Sequence, residues 1–530
     1  MKSWLSRIPE QVYVFFIFFL FFALNLTSNF SGPHDSMGYL NDIEKARDLF
    51  PAHHLLYHYT SFQLFHLLRH VLPVQPYYIL EIIDSFWGCL GLATVFLIFR
   101  RRMGMTRVES FTGTAVVAFS FGMWFYCSNI EVYMPPLFFL LCGLYLCCKD
   151  QFGIRDAVML TLVHCLAVLY HQSNVLFTPI VLWKFWDARK KIPFLRTIVA
   201  YGISSFILVA GIYFLIGWYG DAHNSPKEFY TWLRGYTLEP DYWFPLNFKT
   251  LLKALVGWGH AFFGGHFIFR VGFLQNFMTR LFYYHSLDDE AYLVRNLSYT
   301  WSLILVALTL LVCLIMLALL VRVIRHGRWL LRERHRMLIP PLMFLIIYSC
   351  FFFFWMPENL EFWIPQAGVW WIFLLGMNKQ LPPPAWAPNR AVFQAVIAGL
   401  LFGINYQGSI RWMKNIYNDS VYVKIEKVKE VATDKDLIIL RDPWLLDDFL
   451  EQYTPSQLSK IPSDAPSIEL LNQKIDQCLA TGGKVYVFTE GASMHSSKNK
   501  TFVDSLLKQQ AGSVIDFDNP LTPVVVISHR

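Results

Sequence analysis

The sequence predicts an α-helical polytopic membrane protein of about eleven transmembrane helices, carrying a C-terminal α/β domain outside the cytoplasm. Three observations carry that expectation. Apolar residues make up 55% of the chain and charged residues 16%, where a soluble domain carries about 25% charge. Apolar segments long enough to cross a bilayer recur through the first 410 residues. Beyond them the pattern changes to short β-branched runs alternating with amphipathic ones. The expected domains are therefore a transmembrane region, 1–410, with outer loops at 29–75 and 220–298, and a soluble region, 411–530.

The first apolar run, 11–28, follows Lys2 and Arg7 as a signal peptide would. It is long enough to span, lacks a clear small-residue cleavage site and is followed by further spans, so it reads as a retained helix. The other segments lie near 76–99, 108–127, 132–148, 155–171, 174–187, 197–219, 299–324, 338–355, 361–378 and 390–409. Charge orients them. Loops on the Met1 side hold "RRRMGMTR" (100–107), "ARKKIPFLR" (188–196) and "RHGRWLLRERHR" (325–336). The short loops around Asn129, Ser173 and Glu358 hold no Lys or Arg. Positive charge gathers on the cytoplasmic side, which places Met1 there and, with eleven spans, the C-terminus outside. A plasma or inner membrane is the expected setting, with an ER membrane as the other. Basic residues cluster between the apolar segments, so the net charge of +7 is no nucleic-acid signal.

The outer loops are rich in Trp, Tyr, Phe and Leu, as in "HHLLYHYTSFQLFHLL" (53–68) and "FYTWLRGY" (229–236), and read as amphipathic helices at headgroup depth. In the tail, "KDLIILRD", "GKVYVFTEG" and "TPVVVISH" read as strands, and "WLLDDFLEQY" and "SIELLNQKIDQCL" as helices. That alternation predicts a small, mostly parallel sheet. Its turns carry no glycine-rich dinucleotide or Walker motif. Of nine cysteines, all but Cys478 lie in or beside apolar runs, which is neither a disulfide framework nor a zinc spacing.

Polar residues at membrane depth are costly unless paired or functional. Here they gather at the outer ends of spans: Asp35, Glu81, Asp84, Glu131, His171, Gln172, Glu358, Asn359 and Glu361. An ion-coupled carrier would hold them at the midplane instead, so the pattern points to chemistry at the outer surface. Each residue has a plainer reading. Asp35 could cap a helix from Met37 to Asp48. Glu81 and Asp84, at i,i+3, could be a structural pair. His164, two turns from His171, reads as a packing residue. "HLLYH" (54–58) has metal-ligand spacing, but Leu55 stands where a zinc protease needs its glutamate base. The sequons at Asn296 and Asn499 decide nothing.

The layout, with one span, a first outer loop opening on an aspartate, interfacial helices and many further spans, resembles the GT-C glycosyltransferases. Protein O-mannosyltransferases and the aminoarabinose transferases of lipid A are members. "HDSMGYL" followed by "FPAHHLLYH" looks like that superfamily's first-loop pattern, and "SNIEVYMPPLFF" (128–139) and "WMPENLEFWIP" (355–365) resemble segments of some members. The likeness covers about 10–410. It departs at Asp35, a single acid where O-mannosyltransferases carry an adjacent Asp-Glu pair, which argues against mannose and a protein acceptor.

The resemblance implies transfer of a sugar from a polyprenyl-phosphate carrier, with inversion, to a protein, lipid or glycan at the outer face. Asp35 would be the base and Glu131 a second acid positioning the acceptor or a divalent ion, magnesium or manganese. His171, Gln172 and Arg270, with Arg280 nearby in sequence, are the donors available to the lipid phosphate. His34, His54, His58, Glu81, Glu358 and Glu361 would shape the substrate pocket. A lipid donor also fits the lack of a nucleotide motif. The rival readings are a carrier or flippase for lipid-linked saccharides, needing a polar path through the bilayer, and a non-enzymatic scaffold acting through its tail.

Overall fold

The computed structural model describes residues 9–220, 223–235, 242–282, 287–332, 336–384, 386–442, 445–454, 457–461, 465–490, 496–509, 512–517 and 521–528. Parts of the outer loop 220–298, of the basic loop 325–336 and of the turn 381–389 lie outside them. Two compact units divide the chain. One comprises 1–26, 42–265 and 304–408; the other comprises 27–41, 266–303 and 409–530.

The first unit is helical. Its first described helix is α1 (Glu10–Ala23); α2 (Ser36–Glu44) starts in the other unit, and α3 (Tyr57–Arg69) leads into α4 (Pro76–Leu97). Pro76 starts α4 at a position whose amide has no helical partner. Then follow α5 (Arg107–Ala118), α6 (Phe121–Cys127), α7 (Met134–Cys147), α8 (Ile154–Tyr170) and α9 (Thr178–Asp187). The α4 helix is the hub, packed against α1, α6 and α7. Small residues make this possible: a Cβ at Gly88 would strike the sulfur of Cys127, and one at Gly91 would lie 3.4 Å from Leu141.

All eleven segments expected as spans are helical, but they are not equally long. Among the described residues, five helices are long and apolar enough to cross a membrane: Pro76–Arg102, Phe194–Gly220, Tyr299–Gly327, Leu360–Gln380 and Arg390–Met413. A sixth arises if α5 and α6, bent by 78°, count as one. Three more, Glu10–Ala23, Met134–Cys147 and Ile339–Phe354, are apolar but shorter. At 1.5 Å per residue, the 14 residues of α7 rise only about 21 Å against a core of about 30 Å. The apolar stretch seen in sequence, 132–148, is longer than the helix it forms, Met134–Cys147.

The second unit holds a mixed sheet, with β1 (Leu437–Leu440), β2 (Gln457–Lys460), β3 (Val485–Phe488), β4 (Gly512–Ile515) and β5 (Val524–Ile527). Their order is β2-β1-β3-β5-β4. The first three are parallel, with Ile438 opposite both Leu458 and Tyr486; β5 runs antiparallel to β3 and β4. The sheet is thus less parallel than the sequence suggested. Every residue of β1 and β3 is buried, as expected of central strands covered on both faces. Leu437, Ile439, Val485 and Val487 pack with Leu471, Ile475, Val503 and Leu506 of two helices. On the other face Tyr486 donates to the Val431 carbonyl at 3.2 Å, at the end of the helix Ser420–Val431.

Candidate active site

Within the sheet-bearing unit, Asp35 immediately precedes α2. Its carbonyl accepts the first helical bond from the Tyr39 amide at 2.9 Å, so its backbone is in the capping position. Its carboxylate is not capping. Among the described residues the side chain's hydrogen bond is to the Tyr39 hydroxyl, at 3.3 Å. The helix it starts is shorter than the expected Met37–Asp48, because Ala46 and Asp48 turn left-handed at φ 53° and 39°. His34 is left-handed too, at φ 73°. Such strain persists only where the surroundings over-determine it, and it aims the next side chain. Asp35 is open to solvent. Desolvation by surrounding protein nonetheless pushes its carboxyl above the ordinary range, against the Tyr39 bond. That makes it a stronger base. Arg270, in the same unit, spends Nε on the Leu297 carbonyl at 2.9 Å and is otherwise exposed.

The helical unit gathers the other acids. Glu81, Asp84 and Glu131 are fully buried. Asp84 Oδ2 accepts the Tyr57 hydroxyl at 2.8 Å and the Glu131 amide at 3.1 Å, and Glu131 Oε2 accepts the Val132 amide at 3.0 Å. Asp84 therefore ties α3, α4 and the α6–α7 turn together. Both oxygens of Glu81 and Oδ1 of Asp84 have no hydrogen-bond partner among the described residues. A buried carboxyl so placed costs stability.

Beside the acids lie histidines. The rings of His54 and His58 are 5.3 Å apart, and His58 Nδ1 donates to the Asp48 carbonyl at 2.8 Å. Desolvation lowers the pKa of both, and the neighbouring His58, His171 and His53 lower that of His54 further. His171 ends α8, and the Ser173 amide donates to its Nδ1 at 3.3 Å, with Ser173 Oγ at 2.8 Å. An amide can only donate, so Nδ1 accepts and the neutral ring keeps its proton on Nε2. Gln172 Nε2 turns to the Leu233 carbonyl at 3.3 Å. His164 is held between the Asn174 carbonyl (3.1 Å) and the Tyr201 hydroxyl (3.0 Å), a packing role.

His171 and Glu361 both line a narrow, partly open cleft, with Tyr133, Asn174, Tyr348 and Phe352 among its walls. Glu358 does not line it: its Oε1 is paired with Lys253 Nζ at 2.5 Å. Among the described residues no three His, Cys, Asp or Glu side chains converge to hold a metal ion. The magnesium or manganese helper expected beside Glu131 finds no such set among the described residues. Sequence reasoning did not single out Tyr57 or Tyr133. Each is a tyrosine in an aromatic-rich segment, and only its contact with Asp84 or His171 marks it.

The fold is that of the GT-C membrane glycosyltransferases. It is similar over 97% of both chains to ArnT from Cupriavidus metallidurans, in the structure bound to undecaprenyl phosphate (TM-score 0.54) and in the apo state (0.56), at 10% identity. The apo oligosaccharyltransferase of Archaeoglobus fulgidus aligns with a TM-score of 0.48 at 12% identity, covering 99% of this chain and 76% of that one. No protein-family model matches the chain, and no curated protein matches it in sequence.

Proposed function

We propose that the protein is an inverting glycosyltransferase that moves a sugar from a polyprenyl-phosphate carrier to an acceptor hydroxyl at the extracytoplasmic membrane face. The observation that carries this reading is Asp35: an exposed carboxylate at a strained turn, facing no helix amide, in a chain with the GT-C fold. Asp35 takes the proton of the acceptor hydroxyl. The freed oxygen forms the new bond to the anomeric carbon while the bond from that carbon to the phosphate oxygen breaks. The electron pair leaves on the polyprenyl phosphate. The exposed guanidinium of Arg270, in the same unit as Asp35, is a donor for the phosphate. The bound ligand of the similar ArnT supports a polyprenyl phosphate as the carrier.

Purified protein in nanodiscs, supplied with a panel of undecaprenyl-phosphate hexoses and membrane-extract acceptors, tests the proposal. Asp35→Asn should bind undecaprenyl phosphate normally and transfer sugar at least about a hundredfold more slowly. Because no cap bond is lost, even Asp35→Ala should melt within a few tenths of a kcal/mol of the parent, not about 1 kcal/mol below it. Normal transfer by both variants would defeat the assignment and leave Glu131 as the acid to test.

A further inference from the structure

We propose that Asp419 is the positioning residue for Asp35, its two carboxylate oxygens clamping the first outer loop to the tail domain. The inference rests on reading Asp35 as the base. Asp419 is fully buried, and each oxygen takes two backbone amides. Oδ1 accepts from Val421 and Tyr422, both at 3.0 Å. Those are the free donors of the helix Ser420–Val431, and this half of the residue is an ordinary N-cap. Capping does not explain Oδ2. It accepts from the amides of Phe30 and Ser31, both at 2.8 Å, almost 390 positions away in sequence.

These two amides stand at the entrance to the turn that sets His34 left-handed and aims Asp35. A second hold lies just beyond it. Asn41 Nδ2 donates to the Asp448 carbonyl at 2.9 Å, and a Cβ on Gly38 would come within 3.1 Å of Asp448 Oδ2. The segment 30–41 is thus gripped before and after Asp35 by residues of the tail. The catalytic loop takes its shape from the sheet domain. Local sequence could not fix it, since three left-handed non-glycine residues within 34–48 run against intrinsic preference.

The two-oxygen geometry gives a selective test. Asparagine caps a helix about as well as aspartate, but it has only one acceptor oxygen. With its one oxygen kept on the Val421 and Tyr422 amides, Asp419→Asn retains the cap and loses the Phe30 and Ser31 bonds. In full-length protein, hydrogen exchange of the 29–36 peptide should quicken at least tenfold in Asp419→Asn, while 420–431 stays protected. With undecaprenyl-phosphate hexose as donor, kcat should drop by about tenfold to a hundredfold, the scale of an ångström misplacement, with the donor KM unchanged. Adding Asp419→Asn to Asp35→Asn should cost nothing further. Unchanged exchange at 29–36 would overturn the clamp. Faster exchange with full transfer, or additive losses in the double variant, would overturn its positioning role. Should Asp35→Asn itself be fully active, the base assignment fails, and the exchange result still judges the clamp.

Discussion

Asp35 and Glu131 were the two acids most open to view in the sequence, and the structure gives them opposite surroundings: one faces water, the other is fully buried beside Asp84. Neither environment follows from spacing, because burial is decided by partners 27 to 47 positions away, as the Tyr57–Asp84 and Asp84–Glu131 bonds are. The histidines are more legible. Their clustering at 53–58 is plain in sequence, and desolvation then lowers the pKa of His54 and His58 from 6.5. An unfolded chain binds more protons than this pair once the pH is below that value. Their contribution to stability is therefore whole above about pH 6.5 and declines as pH falls through the lowered values. Thermal melts from pH 8 to pH 5 should show that decline, and a His54→Gln, His58→Gln double variant should flatten it.

Elements were read unevenly, for reasons visible in each. The buried strands β1, β3 and β5 announce themselves as runs of Leu, Ile and Val. The edge strands β2, "QLSK", and β4, "GSVI", carry no such signal, because an edge strand is only half covered and tolerates polar residues. Missing β4 is what made the sheet look more parallel than it is. Helix existence was legible for all eleven apolar segments, and helix length was not. The "WMPENLEFWIP" segment is a case where packing rules. It rests on the helix Phe248–Phe263 at Gly257, where an added Cβ would strike the Pro357 carbonyl and lie 2.8 Å from Trp363 Nε1. Gly257→Ala should cost about 1–3 kcal/mol, the range for overpacking. Gly259→Ala, where a Cβ meets nothing, should not lower the melting temperature. Equal melts for the two would show that this junction has slack.

At the scale of the whole molecule, orientation remains a matter of charge. The positive-inside asymmetry predicts that single cysteines replacing the exposed Gly32, Asn224 and Asp434 react with an impermeant thiol reagent from outside. Those replacing the exposed Thr106 and Arg325 should react only after the membrane is opened. Labelling of Thr106→Cys in sealed vesicles would invert the topology and carry the proposed site to the cytoplasmic face.

Glu81 gives this molecule a measurable tension between endurance and work. Neither of its oxygens has a hydrogen-bond partner among the described residues. Replacing such a group with a hydrocarbon of similar bulk commonly makes a protein hardier. Glu81→Leu should accordingly raise the melting temperature, and the transfer assay then says what the carboxyl is for. A hardier protein with intact turnover would mark Glu81 as an accident that engineers can remove. A hardier protein that has lost turnover would mark it as a sacrifice of robustness that selection has maintained, and thermostabilised variants made for crystallography would do well to leave it alone.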